Sequence, residues 1–403
     1  KFFAALGFEP VLSEYPAPEG IEMRNAAFCY PAELSHGYFY SLIHSEDPPE
    51  FIFLPHVKSV HVENGSANAQ VCPFVQGEPY YLCTTFRQTL AELEKNGTRV
   101  LSPFLDMSQG PDAAKEPLVR TAVDMGAERK AAEEAFEAAK QQQIACFKEM
   151  KEIGTQALEQ LEADPEKIGV VIFGRPYNGF VEEAHMGIPH KLASRGVYVI
   201  PLDFLPIEPE DSKRHMYWGM GQLILKAARY VKRHPQLFAT YITNFSCGPD
   251  SFVVGYFRDI MGRKPSLTLE LDSHTADAGI ETRIEAFLDI VAEYRQLLLA
   301  GSQLAEQSGF SPARTFLENG TPMVKTSDGR VLALTDPRVT FVIPSMGRLG
   351  TELVAAAFEA SGMHVAPHPP ADENVLKLGR AHTSCKECLP LILTTGTLLN
   401  YAY

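Results

Sequence analysis

Strand, loop and helix signals alternate along most of this chain, and that alternation leaves few folds open. Ile168–Phe173 reads as a strand that closes on the turn Gly174-Arg-Pro-Tyr-Asn-Gly179 and gives way to a helix over Val181–Ser194. Strand Val197–Ile200, helix Ser212–Lys232, strand Phe238–Phe245 and strand Leu267–Leu271 follow, before a long amphipathic helix reaching about Gln307. Such repetition specifies a parallel sheet with helices on both faces. The expected fold class is α/β, built from parallel-sheet units of Rossmann or flavodoxin-like type.

Changes in that rhythm set the expected boundaries. Residues 1–112 form a first α/β unit, with a helix over Pro31–Ile43, a strand Phe51–Leu54 that stops at Pro55, a helix Thr84–Lys95 and a strand Arg99–Leu105. Residues 113–165 are rich in Ala, Glu, Lys and Gln and read as a helical connection, with a break available at Gly154. Residues 166–308 make the second α/β unit. Residues 309–403 start a third, incomplete α/β unit, with strand Thr340–Ile343, the glycine turn Gly347-Arg-Leu-Gly350, helix Thr351–Ala360 and strand His364–Pro367. The chain opens inside a helix, without an initiator Met, and is expected to be a piece of a longer protein.

Composition excludes several function classes. The 403 residues are 45% hydrophobic and 21% charged, values of an ordinary soluble globular protein. A net charge of −14 argues against nucleic-acid or anionic-membrane partners, which need a basic face. No apolar run approaches the ~18 residues of a membrane span. The seven cysteines are odd in number and irregularly spaced. That pattern fits thiols or metal ligands in a reducing compartment, the cytoplasm, rather than a secreted disulfide scaffold.

Four of those cysteines share a signature: Cys29-Tyr-Pro31, Cys72-Pro73, Cys247-Gly-Pro249 and Cys388-Leu-Pro390, the last within Cys385-Lys-Glu-Cys388. Proline has a fixed φ and no N–H to lose, so it favours the first turn of a helix. A cysteine just before it meets free backbone N–H groups and the positive end of the helix dipole. Such sites stabilise a thiolate and any anionic cluster that it holds. Cys29, Cys72, Cys247, Cys385 and Cys388 are therefore the candidate metal and cofactor ligands, with Cys83 as a further candidate. Cys146, inside the helical connection, reads as structural. Thiolates alone suit an iron–sulfur cluster, whereas structural zinc usually takes two closely spaced pairs and only one is present. Zinc stays open as the other metal. The turns at Gly174–Gly179 and Gly347–Gly350 read as tight strand–helix connections, and His36, His185, His190 and His274 as hydrogen-bonded loop histidines. Asp272 with Asp277 reads as a helix cap and loop lock.

Longer stretches carry a family resemblance. Leu6-Gly-Phe-Glu-Pro-Val-Leu-Ser13, Cys29-Tyr-Pro-Ala-Glu-Leu-Ser-His-Gly37 and Phe51-Ile-Phe-Leu-Pro55 come in order. Cys72-Pro-Phe-Val-Gln76, Cys247-Gly-Pro-Asp-Ser-Phe252, Leu269–Gly279 and Cys385-Lys-Glu-Cys-Leu-Pro390 follow. The series resembles the acyl-CoA dehydratase activase-related proteins, relatives of the 2-hydroxyacyl-CoA dehydratases and of the double-cubane cluster proteins. The resemblance implies α/β domains around an iron–sulfur cluster held by cysteines, either an 8Fe-9S double cubane or a 4Fe-4S cube. It also implies a partner, an ATP-hydrolysing iron–sulfur activase, separate or fused upstream, that drives electrons onto the cluster at very low potential. The activase's Asp-x-Gly nucleotide signature is absent here, so the chain looks like the electron acceptor. A double cubane needs about six thiolates; the sixth would be Cys83 or would lie beyond Tyr403, where the family has a further Gly-Pro-Cys stretch.

The expected function is an anaerobic electron-transfer module. It would be an iron–sulfur oxidoreductase that depends on the activase and passes electrons to a small-molecule substrate. Alternatives are a 2-hydroxyacyl-CoA dehydratase-like component and a non-catalytic metal-binding scaffold of a fused activase. A homodimer is compatible with either. No catalytic residue is singled out.

Overall fold

The computed structural model describes residues 1–24, 29–66, 68–299, 311–345, 347–382 and 389–402. The chain is a mixed α/β protein with several parallel sheets, and it divides into two compact units, Lys1–Leu297 and Leu298–Tyr403.

The centre of the first unit is a four-stranded parallel sheet. Numbered along the whole chain, its strands are β5 (Gly169–Phe173), β6 (Tyr198–Pro201), β7 (Leu237–Asn244) and β8 (Ser266–Leu271), in the order β6-β5-β7-β8. Every residue of β5 and β7 is buried, because helices cover both faces of these central strands. One face packs Val171, Phe173, Ala239 and Tyr241 against the helices Gly219–Arg233 and Gly248–Met261. The other packs Val170, Ile172, Phe238 and Ile242 against the helix Asp277–Leu299. The helix expected over Val181–Ser194 is three short helices, Pro176–Phe180, Glu182–His185 and Ile188–Ala193. Met186 and Gly187 both take left-handed backbone angles between the last two and break the run.

Ahead of this sheet the chain forms a parallel two-stranded ribbon in two segments. Strand β1 (Phe51–Phe53) pairs with β3 (Arg99–Leu101), and β2 (His56–Ser59) pairs with β4 (Phe104–Asp106). The first strand stops before Pro55, but the Leu54 and His56 N–H groups donate to the Leu101 and Pro103 carbonyls on either side of it, and pairing resumes in β2. The helical connection is a short 3-10 turn, a helix Lys115–Asp124 and one unbroken helix Arg129–Glu162. Gly154 lies inside that helix because the Phe204 carbonyl oxygen occupies the space a Cβ would need, so its role is close approach and not a break.

The second unit opens with an antiparallel three-stranded sheet absent from the sequence reading: β9 (Arg314–Glu318), β10 (Thr321–Lys325) and β11 (Val331–Ala333). After it comes a parallel pair, β12 (Thr340–Ile343) and β13 (His364–Pro367), joined by the helix Arg348–Ala360. Two helices, Glu373–Ala381 and Leu389–Ala402, cross at Gly379 and Gly396, whose missing side chains let the backbones touch. No helix among the described residues is long and apolar enough to cross a membrane.

Candidate thiol-lined site

Three of the Cys-Pro cysteines are N-caps. Cys29 caps the helix Tyr30–Ile43, Cys72 the helix Pro73–Gln76 and Cys247 the helix Gly248–Met261, each with a proline in the first turn. Proline fits there because the first helical N–H groups have no intrahelical acceptor in any case. All three cysteines line one cavity of about 230 Å³ within the first unit, together with Phe74, Trp218, Asn244 and Arg175. They are free thiols.

The other cysteines stand apart from it. The helical run after Cys72 breaks at Gly77, and Cys83 on the helix Glu78–Thr85 packs into a hydrophobic cluster with Phe39, Ile52, Leu82 and Phe86. It does not line the cavity. Cys146 is exposed on the helix Arg129–Glu162 and so fills no core position. Cys385 and Cys388 lie outside the described residues. Among the described residues, no three His, Cys, Asp or Glu side chains are grouped tightly enough to hold a single metal ion.

The sheet explains where Cys247 sits. From β5 the chain first crosses to β6 on one side and later returns to place β7 on the other. The carboxyl ends of β5 and β7 thus flank the point where strand order reverses, the usual binding crevice of an open parallel sheet. Arg175 follows β5 through Gly174, and Cys247 follows β7 through Ser246, both glycine-like left-handed positions.

Arg175 is only 8% exposed and Asp250 3%. The guanidinium donates from Nη1 and Nη2 to Cys247 Sγ, each at 3.1 Å, from Nη1 to Tyr177 Oη at 3.1 Å and from Nη2 to Asp250 Oδ1 at 2.6 Å. The Asp250 carboxylate also accepts from Tyr241 Oη at 3.1 Å and from Thr243 Oγ1 at 2.5 Å. Burial opposes the charge on Arg175, but Asp250, with Tyr177, Cys247 and Tyr241 adding to it, holds the group well above the ordinary guanidinium value. Burial pushes the Cys247 thiol up, Asp250 adds to the shift, and Arg175 pulls against both. Burial also raises Cys29, with the Ala32 N–H opposing. A metal that binds here must displace protons from these thiols.

Two further cavities adjoin, and Cys72 and Tyr177 line all three. One of about 250 Å³ is edged by Ser35, Tyr38, Glu78 and Tyr81 beside Cys29. Burial and then Glu183, which accepts the Tyr38 hydroxyl at 2.8 Å, push Tyr38 up to about 12. Burial raises Glu78 against the opposing hydrogen bond from Ser35. The other, also about 250 Å³, is walled by Val57, Val60, Val71, Trp218, Ile224 and Val253.

Of the four expected loop histidines, His36, His185 and His190 lie in helices instead, and His36 and His185 form side-chain hydrogen bonds. His36 is buried, with Nδ1 2.7 Å from the Ala32 carbonyl oxygen and its ring stacked on Tyr81, and His185 Nδ1 accepts the Gly187 N–H. Asp272 locks its loop by accepting from the His274 N–H and Thr275 Oγ1. Gly347 caps the helix Arg348–Ala360. The residues that sequence reading passed over are Arg175, Tyr177, Asn244, Asp250 and Trp218. The signal was present for two of them. Gly174-Arg-Pro-Tyr-Asn-Gly179 follows a buried strand, and a basic residue at a strand's carboxyl end faces the crevice.

No curated protein matches the chain. Residues 1–205 match the family described as the CoA enzyme activase uncharacterised domain (DUF2229). The match takes in half of the chain, with Cys29, Cys72, Arg175 and Tyr177 inside it and Cys247 beyond it. The chain is a member of this acyl-CoA dehydratase activase-related family.

Proposed function

We propose that this chain is an iron–sulfur module of the CoA-enzyme activation system, with Cys29, Cys72 and Cys247 as the ligands from its first unit. In this reading it accepts low-potential electrons from an ATP-hydrolysing activase and passes them to a small substrate. The observation that carries it is the meeting of three thiols, from three helix N-termini far apart in sequence, on one cavity. Three cavity-lining thiols that form no tight single-ion group among the described residues suit a polynuclear cluster better than one zinc ion. The donor set fits: thiolates are anionic, and each faces a positive helix end.

When bound, the cluster supplies one-electron transfer at a potential set by charge, hydrogen bonding and solvent access. The chain's own residues set those conditions. Arg175 brings a buried positive charge to the Cys247 sulfur, and Asp250 fixes its direction. Phe74, Trp218 and Phe252 line the cavity with aromatic rings. The adjoining cavity beside Cys29, with its Tyr38, Tyr81 and Glu78 hydroxyl and carboxyl groups, gives a small substrate a polar seat and proton donors.

Anaerobic reconstitution with iron and sulfide, followed by iron and acid-labile sulfide analysis and EPR of the reduced protein, tests the reading. Brown, EPR-active wild type and a Cys247→Ser variant that loses most of its iron are expected. A colourless, iron-free wild type sinks it, and iron content untouched by Cys247→Ser leaves only a scaffold role.

A further inference from the structure

The wall of the thiol-lined cavity contains a hydrogen-bond donor with nothing to bond. Asn244, the last residue of β7, lines the cavity and is 2% exposed. Its Nδ2 is buried and has no acceptor among the described residues. Leaving such a group unpaired costs about 1–3 kcal/mol, so a native protein keeps one where a partner arrives.

The orientation of that amide is fixed by its neighbours. Asn178 Nδ2 lies 3.0 Å from the Ile242 carbonyl oxygen, which can only accept, so Asn178 must turn its NH₂ that way. The same NH₂ reaches Asn244 Oδ1 at 3.2 Å. Asn244 therefore spends its oxygen on Asn178 and presents its own NH₂ elsewhere. Its backbone carbonyl meanwhile accepts the Cys247 N–H at 3.1 Å and forms the turn that delivers the thiol. Among the described residues no acceptor takes that NH₂; the Asn178 Oδ1 is likewise buried and unpaired, but the Asn178 NH₂, not its oxygen, is turned toward Asn244.

We propose that the Asn244 amide is a positioning residue for the group held by Cys247: it donates to a sulfur of that group and raises its reduction potential. The inference rests on the iron–sulfur reading above. An N–H aimed at sulfur stabilises the more negative, reduced state, and hydrogen bonds to sulfur are among the levers that set such potentials. Arg175, just beyond the end of β5, already donates to the Cys247 sulfur, and the Asn244 amide would add a donor from the end of β7.

The test is a potentiometric titration followed by EPR on reconstituted wild type, Asn244→Leu and Asn178→Leu. Asn244→Leu keeps the volume and removes the donor, and Asn178→Leu keeps the donor and frees its orientation. The expected result is full iron content in Asn244→Leu with a reduction equilibrium about tenfold less favourable, which for a one-electron couple is about 59 mV more negative. Asn178→Leu shifts the same way by less and is the deciding variant if Asn244→Leu fails to fold or to load. Iron-loaded variants with the wild-type midpoint overturn this inference alone. An iron-free wild type overturns the reading beneath it as well.

Discussion

A guanidinium almost out of reach of water has to be paired on every side, and Arg175 is: one carboxylate, one thiol and one phenol take its donors. Truncating it strands Asp250, whose remaining partners are two neutral hydroxyls. Arg175→Met is therefore expected to cost about 3–5 kcal/mol, the usual penalty for leaving half of a buried ion pair, and chemical denaturation will read it. Asp250→Asn should recover part of that loss when combined with Arg175→Met, because the stranded charge is gone. At this scale the cysteines were legible and their electrostatic partner was not. Proline after cysteine is a local signal that three residues suffice to carry. The link between Arg175 and Cys247 joins the ends of two strands and exists only once the sheet has formed.

Among the elements, the helix Gly219–Arg233 ends in an unusual cap. Lys264 is buried, and its ammonium donates to the carbonyl oxygens of Val231 in the last turn and of His234 at the C-cap. Burial, with Lys232 nearby, pushes its pKa down to about 7. In the unfolded chain it returns to about 10.4, so between these values the unfolded state holds the extra proton and stability rises with pH. Below about pH 7 both states are protonated and the slope vanishes. Urea midpoints compared at about pH 7 and about pH 9.5 should show a rise in wild type that Lys264→Met lacks. Strand order in residues 166–308 could be read from sequence because β5 is an unbroken apolar run and β7 is rich in β-branched and aromatic residues, both bounded by turns. The hairpin of β9 and β10 was missed although Asn319-Gly320, both at positive φ, is a strong short-range sign of one. Its strands are mostly exposed and lack the apolar runs that mark the central ones.

For the whole molecule, two compact units predict two separable unfolding events. A Cβ at Gly154 overlaps the Phe204 carbonyl inside the first unit, and one at Gly379 overlaps the Ile392 carbonyl inside the second. Each alanine substitution should cost about 1–3 kcal/mol by overpacking. Calorimetry of the full chain should show Gly154→Ala lowering one transition and Gly379→Ala the other. A single transition lowered by both variants would contradict the division. Gly154 shows why sequence alone misjudged the helical connection. Glycine looks like a helix break until the backbone that crosses it is known.

The helix Arg129–Glu162, 34 residues and about 50 Å long at ~1.5 Å per residue, separates the cysteines that meet in the cavity. During synthesis the chain emerges amino end first, so Cys29 and Cys72 leave the ribosome well before Arg175 and Cys247 exist. Until β7 is in place those two thiols have no third partner and no buried cation beside them. Assembly of the three-thiol cavity is thereby tied to placement of β7, and a nascent chain released before Cys247 carries two of its three cysteines and, of its wall, Phe74, Arg175 and Trp218 but not Phe252.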